Sequence, residues 1–424
     1  MEIYRNESEY INTLSERAVL PRGFRASSSA FTFFPDEVPS EARMNVNLIL
    51  LDRPTESYAG VFTKNAFPGA PVIIGKKRLE GVRTRGVIIN NKIANVLAPD
   101  GLETAEAVLR TLASEAGGSG DEYFSSSTGV IGWKLPGPQI KAEIPGLVSG
   151  LQNSSVLPVA KGIMTTDSYP KIRSCSLGGG RILAIAKGAG MIEPNMATML
   201  VFVLTDIEIS RRDLQAAVAD AAEVTFNRIS VDGDQSTSDM ILGFSSNETA
   251  GVDADEFRQE LFRVFSLLAV DVVRNGEGTG HVIEVKVEGA KTDGEAAAFG
   301  KAVVNSPLVK TAVYGNDPNI GRILAAVGDY AGNTGLAVDA ADIGVKIGGE
   351  TVFIDGAFQI DPEKEKRLCR YLQETGLNPE LKGYPEHDKN VEIGIIVGKG
   401  SGTAVVFGSD LSHEYIRENA EYRT

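Results

Sequence analysis

The sequence predicts an α/β or α+β protein built from two folding units. Patterns typical of strands and of helices alternate along all 424 residues, without an internal repeat or a low-complexity tract. Hydrophobic residues make up 42% of the chain and charged residues 23%, which is the balance of an ordinary globular protein. A chain of this length exceeds what one hydrophobic core usually supports, so we expect two units.

Strands come first along the chain. The apolar runs at 45–52 and 85–91 predict two of them. The second run leads into a helical pattern at 102–116, which the glycine pair beginning at Gly117 ends.

The middle of the chain predicts a buried strand and two helices. The run at 199–205 is uniformly apolar, as expected for a strand covered on both faces. Ser210 can then cap a helix over 211–224. A longer helix is predicted from Asp253 to Gly276, because apolar residues recur there at helical spacing. They are Phe257, Leu261, Val264, Leu268 and Val272.

A domain boundary is predicted after residue 286. The alternation at 281–290 is typical of a half-buried strand, and the stretch around 287–296 is polar and contains glycine. Residues 1–286 would form the first unit, and residues 287–424 a small α+β domain. The elements predicted in that domain are strands at 352–356, 391–398 and 403–408 and a helix at 362–375.

Bulk properties argue against several classes of protein. The formal charge of 42 − 56 = −14 opposes nonspecific binding to nucleic acid. No run approaches the roughly 20 apolar residues of a membrane span. The N-terminus lacks a basic region followed by an apolar one, so a cytoplasmic location is expected. Cys175 and Cys369 are too few for a disulfide framework.

Two glycine-rich loops resemble phosphate-binding loops without completing the pattern. The loop at 398–403 lies between two predicted strands, so no helix N-terminus follows it to bind phosphate. We expect a hairpin turn there. The glycines at 177–181 likewise match no known fingerprint.

Metal-dependent and histidine-dependent mechanisms have weak support. An acidic cluster holds Asp232, Asp234 and Asp239, but it lacks the closing glutamate of a calcium loop. The chain has three histidines, His281, His387 and His413, none near a nucleophile-elbow pattern. His387 and His413 have polar neighbours typical of surface loops. We expect no metal site.

Thr198 is the remaining candidate nucleophile. A threonine hydroxyl needs an adjacent base, and the free α-amine of the same residue can serve as that base. The amine exists only if the Ala197-Thr198 bond is cut. The loop KGAGMIEPNMAT directly precedes the buried strand and can strain this bond for self-cleavage. An Ala-Thr pair alone is a weak signal, since threonine before a strand is common.

The surrounding residues strengthen the signal. KGAGMIEPNMATML, at 187–200, resembles the signature of the ornithine acetyltransferases, self-cleaving N-terminal-nucleophile enzymes of arginine biosynthesis. Further blocks resemble that family in the same order along most of the chain. They are AGVFTKNAFPGAPV, SSTGVIG, GIMTTDSYPK, FNRISVDGDQSTSD, GEG, DPNIGRILAAVGDYAG and NAEYRT.

The resemblance implies roles for particular residues. Thr198 would be the nucleophile, with Ala197 on the other side of the cleaved bond, and Thr128 and Gly129 would form the oxyanion hole. The implied substrate-binding residues are Thr165, Lys187, Thr198, Glu277, Asn419 and Thr424. Lys187 can pair with an α-carboxylate, and Glu277 can accept a hydrogen bond from an ammonium group. Without the family, these charges would be ordinary surface residues.

The resemblance also implies a fold, an assembly and a reaction. The catalytic unit would be a two-sheet sandwich flanked by helices, with the tail of the C-terminal domain returning to the site. Two α and two β chains would assemble after cleavage. The enzyme would transfer acetyl from N2-acetylornithine to glutamate without a metal or organic cofactor, and acetyl-CoA is a further donor in bifunctional members.

Departures from the family pattern leave alternatives open. Ile320 stands where the family usually has tryptophan, and NNKIANV at 90–96 replaces an NSGNAN-like run. The N-terminal stretch SSSAFTFFPDEVPSEARMN also diverges from the family. The first alternative is an enzyme of the same fold, either an acyltransferase of a specialised pathway or an amidase-type hydrolase. The second is a binding protein that is never cut.

Overall fold

The computed structural model describes residues 2–193, 199–381 and 384–421. Within these ranges lie sixteen strands and twelve α-helices. The strands are β1 (Phe24–Phe33), β2 (Ala42–Thr55), β3 (Tyr58–Phe62), β4 (Thr84–Asn90), β5 (Tyr123–Ser127), β6 (Lys171–Leu177), β7 (Gly180–Lys187), β8 (Leu200–Ile207), β9 (Ile229–Ser230), β10 (Met240–Thr249), β11 (Val282–Ala290), β12 (Gly344–Ile347), β13 (Glu350–Ile354), β14 (Ala357–Phe358), β15 (Val391–Ile396) and β16 (Gly402–Ser409). The helices are α1 (Glu7–Arg17), α2 (Ala70–Arg78), α3 (Gly101–Ala116), α4 (Gly137–Ser149), α5 (Leu157–Gly162), α6 (Arg211–Val224), α7 (Ala254–Arg274), α8 (Asp293–Asn305), α9 (Pro307–Tyr314), α10 (Ile320–Thr334), α11 (Pro362–Glu374) and α12 (His413–Ala420).

The strands form three sheets. The first has the order β1-β2-β4-β5, and the second has the order β3-β10-β8-β7-β6. The third sheet has the order β14-β13-β12-β15-β11-β16-β9. In the second sheet, β8 is central and runs parallel to β10 but antiparallel to β7.

The first two sheets pack face to face. One apolar cluster joins Ile49 and Phe124 of the first sheet to Phe202 and Leu242 of the second. On their outer faces, α6 and α7 cover the second sheet and α3 and α4 cover the first. The third sheet packs against its own helices in a separate cluster. This helix–sheet–sheet–helix arrangement confirms the predicted fold class.

Several predicted elements occur where the pattern placed them. All eight residues of β8 are buried, as a uniformly apolar run requires. The Ser210 hydroxyl accepts the Asp213 amide at 3.1 Å and so caps α6. The long helix α7 begins after Asp253, whose carboxylate accepts two amides of the first turn.

The prediction for residues 398–403 is wrong. They do not form a hairpin turn, because β15 and β16 are not paired with each other and β11 lies between them. The loop instead crosses the end of β11, where the Gly400 amide donates to the Gly289 carbonyl at 2.8 Å. The glycine-rich stretch at 177–181 does form a hairpin, between β6 and β7, with Gly178 and Gly179 at positive φ.

The division of the chain after residue 286 stays a prediction. Strand β11 runs across that position from residue 282 to residue 290. It pairs with β15 and β16 of the third sheet.

We predict that Leu268→Ala lowers the free energy of unfolding by about 2–5 kcal/mol, because Leu268 is fully buried between α7 and the second sheet. Its neighbour Leu267 is 42% exposed and supplies the matched control. Leu267→Ala should cost about 0.5 kcal/mol. Urea unfolding at one protein concentration measures both, and equal losses would contradict the burial of α7.

Candidate active site

Six predicted site residues line one cavity of about 290 Å³. The cavity lies where β5 and β7 end and β10 begins, so both stacked sheets contribute to its wall. The six residues are Thr128, Gly129, Thr165, Lys187, Glu277 and Asn419. The fold thus brings together side chains that are up to 291 positions apart in the sequence, since 419 − 128 = 291.

Three further predicted residues, Ala197, Thr198 and Thr424, lie outside the described residues. The chain just after Thr198 is described. The Met199 carbonyl accepts the Met240 amide of β10 at 3.1 Å. On the other side of β8, Leu200 pairs with Lys187, which lines the cavity. The start of β8 is therefore fixed between two strands that border the cavity.

Thr128 and Gly129 form a sharp turn after β5. The Thr128 amide donates to the Asn90 carbonyl at 3.1 Å. Gly129 has φ 127°, and a Cβ on it would overlap the Lys92 carbonyl, so only glycine fits. Because the Thr128 amide is engaged, the donors that this turn can offer to a ligand are the Thr128 hydroxyl and the Gly129 amide.

Lys187 is held by a group of buried polar residues behind the cavity. Its Nζ donates to Thr165 Oγ1 at 3.4 Å. Asp167 accepts the Gly188 amide at 2.8 Å and the Thr165 amide at 3.1 Å, and it pairs with Lys171 at 2.5 Å. Burial alone would raise the pKa of Asp167, but Lys171 and Lys187 lower it to about 2.

Glu277 lies in the loop after α7 and also lines the cavity. Its amide donates to the Ala189 carbonyl at 2.9 Å, and its Oε2 accepts Asn419 Nδ2 of α12 at 2.8 Å. A Cβ on Gly190 would overlap the Glu277 carboxylate. This glycine therefore lets the carboxylate lie against the backbone of the KGAG loop.

The acidic cluster at 231–239 contacts the KGAGMIEPNMAT loop through Asp232 and lines the cavity through Asp239. Asp232 accepts the Met191 and Ile192 amides at 2.6 and 2.8 Å, and Tyr415 of α12 donates its hydroxyl to Asp232 at 3.3 Å. Across the described ranges, no group of three or more His, Cys, Asp or Glu side chains is arranged to hold a metal ion. Asp232 thus orders the chain that leads to residue 194.

Asp239 is a cavity residue whose position in the site the sequence did not reveal. It lines the cavity directly before β10, and it is only 3% exposed. Burial raises the pKa of Asp239 well above its usual range, and a hydrogen bond from Ser236 and the charge of Lys187 only partly oppose this. The signal that could have found it is the polar run QSTSD immediately before an apolar strand.

Comparison with known proteins identifies the family. Residues 37–424 match the model of the ArgJ family. The chain belongs to this family. It is 37% identical over 431 residues to the arginine biosynthesis bifunctional protein ArgJ of Rhizobium meliloti (strain 1021), covering 97% of each chain. It is 37% identical over 414 residues to the protein of that name from Nitratidesulfovibrio vulgaris, covering 95% of this chain and 99% of that protein.

A solved structure is also similar to part of the chain. The crystal structure of arginine biosynthesis bifunctional protein ArgJ from Bacillus halodurans is 34% identical, with a TM-score of 0.45, and covers 52% of this chain and 97% of that chain.

Membership of the ArgJ family confirms the predicted resemblance and the prediction of an enzyme of arginine biosynthesis. Among the described helices of this ArgJ-family chain, none is long and apolar enough to cross a membrane.

The histidine predictions have mixed outcomes. His413 is exposed, as predicted. The prediction for His387 is wrong, because this residue is only 2% exposed and burial lowers its pKa to about 4. His281 is also buried, and its Nδ1 lies 2.7 Å from Asp410 Oδ2. Polar neighbours in the sequence did not predict exposure, because the loop holding His387 folds inward.

The departure from the family pattern at 90–96 borders the cavity. Ala94 of the divergent block lines it, and the Lys92 carbonyl accepts the Val130 amide at 2.9 Å. The block 90–96 therefore supports the turn that holds Thr128 and Gly129. Ile320 is buried at the start of α10, in the core of the third sheet.

We predict that Asp167→Asn destabilises the protein by about 3–5 kcal/mol, because it leaves Lys171 as a buried charge without its carboxylate. The double variant Asp167→Asn, Lys171→Met removes both charges and should recover much of that loss. Urea unfolding at pH 7 tests this. A double variant as unstable as the single one would contradict the importance of the pair.

The acid limb of the stability curve provides a second check. The folded-state pKa of Asp167 lies below the usual 3.8, at about 2. Its stabilising contribution is therefore present at neutral pH and is lost as the pH falls from about 4 towards 2. The Asp167→Asn variant should lack that part of the pH dependence.

Proposed function

We propose that this chain is an acetyltransferase that moves acetyl from N2-acetylornithine to glutamate through an ester on Thr198. The observation that carries the proposal is the convergence of six predicted site residues on one cavity beside the start of β8. Membership of the ArgJ family supports it. In this proposal the reaction needs no metal or organic cofactor.

Self-cleavage would first produce the nucleophile. The Thr198 hydroxyl attacks the Ala197 carbonyl, the C–N bond breaks, and the acyl group moves to oxygen. Water then hydrolyses the ester and leaves Thr198 with a free α-amine. The products are chains of 197 and 424 − 197 = 227 residues.

The two chains would stay together after cleavage. Strand β7 belongs to the first and β8 to the second, and they pair along six residues of each strand in the centre of a buried sheet. Separating them would expose the apolar faces of both strands. A larger assembly of two α and two β chains is part of the proposal.

Acetyl transfer would follow in two half-reactions. The free amine takes the hydroxyl proton as Thr198 attacks the acetyl carbonyl, and it returns the proton to the departing amine of ornithine. Glutamate then attacks the acetyl ester. The Thr128 hydroxyl and the Gly129 amide are suited to stabilise the oxyanion of each step, where one such donor is worth about 3–4 kcal/mol.

The charges of the cavity suit amino-acid substrates. Lys187 would pair with the α-carboxylate, and Glu277 would accept an ammonium group. Asn419 holds Glu277 in place by its 2.8 Å hydrogen bond. The volume of about 290 Å³ is at the small end of ligand pockets and fits an amino acid.

A hydrolase or a specialised acyltransferase of the same fold is the second candidate. It is favoured by one observation, the position of the divergent block 90–96 beneath the predicted oxyanion turn. A change there alters how the turn is supported, and it bears on whether water or an amine attacks the ester.

We predict that mass spectrometry of the purified protein finds two chains, the second beginning at Thr198. Thr198→Ala should leave one intact chain without activity. Thr198→Ser keeps a hydroxyl and should still be cut, which makes it the matched control. An intact wild-type chain would contradict the proposed mechanism and would favour a non-catalytic binding protein.

We predict that the cleaved enzyme forms N-acetylglutamate from acetylornithine and glutamate, and that release of acetate in water alone is far slower. Quantifying both products by chromatography tests this. Acetate without N-acetylglutamate would identify a hydrolase. A parallel reaction with acetyl-CoA and glutamate shows whether the enzyme has the second donor.

A further inference from the structure

Asp239 is a buried carboxyl group in the cavity for which the mechanism above has no use. It stands at the start of β10, beside the strand that begins after Thr198. Its Oδ2 is inaccessible to solvent and has no hydrogen-bond partner in the part of the chain that the structure describes. A buried polar atom without a partner is rare in a native protein and calls for an explanation.

The other carboxylates around the cavity all have donors. Asp167 accepts two amides and the Lys171 ammonium, and Asp232 accepts two amides. Glu277 accepts the side-chain amide of Asn419. Asp239 lines the cavity, and a ligand bound there can supply the donor that its Oδ2 lacks.

The two proposed substrates make opposite demands on one cavity. N2-acetylornithine carries a side-chain ammonium group and one carboxylate, whereas glutamate carries a second carboxylate on its side chain. A ping-pong enzyme must hold both in the same place. Lys187, Glu277 and Asp239 are the charged residues in the described lining of the cavity. A fixed set of charges would favour one substrate and repel the other.

We propose that Asp239 adapts the cavity to both substrates by changing its protonation state. It is ionised when it accepts a hydrogen bond from an ammonium group of ornithine. It is protonated when it donates a hydrogen bond to the second carboxylate of glutamate. This inference rests on the proposed function and adds a residue that determines specificity.

The surroundings of Asp239 permit both states. Burial favours the neutral acid and raises the pKa of Asp239 well above its usual range. The nearby positive charge of Lys187 opposes this, and an ammonium group of a ligand would add to it. Binding of ornithine should therefore release a proton from Asp239 to solvent, and binding of glutamate should not.

The Asp239→Asn variant distinguishes the protonated from the ionised state. Its side-chain amide can still donate a hydrogen bond to a carboxylate, but it cannot become an anion. We expect kcat/KM for acetylornithine to fall about tenfold to a hundredfold, the effect of losing a charge-assisted hydrogen bond. The value for glutamate should stay within about threefold. Asp234→Asn is the matched control, since Asp234 is an exposed acid of the same loop outside the cavity.

A structural role would lower both values together, and that outcome, or an unchanged variant, would overturn the proposal. If Asp239→Asn does not fold or is not cleaved, the wild-type enzyme still decides. Calorimetry of ornithine binding in two buffers of different ionisation enthalpy should show a net release of protons on binding. No release would overturn the role of Asp239, whereas failure of the wild type to bind ornithine or transfer acetyl would also overturn the proposed function.

Discussion

The fixed register of β8 is the constraint on which the site depends. This strand is paired on both edges, by β7 and β10, and both of its faces are covered. A slip by one residue would exchange the side chains that face α6 and α7 with those that face the first sheet, so packing on both faces would be disrupted. Lys187 on one side and Asp239 on the other flank the start of β8, so both are held in fixed positions relative to Leu200.

Several charged groups around the cavity are buried, and burying a charge is energetically unfavourable. Lys171 and Asp167 form a fully buried ion pair, and the Asp232 carboxylate accepts hydrogen bonds from two backbone amides. A buried pair of this kind contributes little net stability compared with apolar residues of the same size. The pair instead fixes Thr165, which lines the cavity, and Gly188, which follows the cavity residue Lys187.

Most of the fold could be predicted from the sequence, because β8, α6 and α7 are long and their apolar periodicity is regular. The glycine loop at 398–403 could not, since its connection depends on β11 lying between two strands that are neighbours in sequence. Local polarity likewise misplaced His387. The family motifs predicted which side chains share the cavity. They could not show the environment of Asp239, because its burial depends on tertiary packing and the charge of Lys187 acts on it from 239 − 187 = 52 positions away in the sequence.

The hydrogen bond between Asn419 and Glu277 has a practical consequence for anyone who produces this protein. Helix α12 is also tied down by the Ser412 hydroxyl, which donates to the Gly278 carbonyl at 2.6 Å, and by Tyr415. A purification tag fused close behind α12 would crowd Asn419 and the cavity that this residue lines. Such a tag would alter the measured kinetic constants, so an N-terminal tag is the better choice.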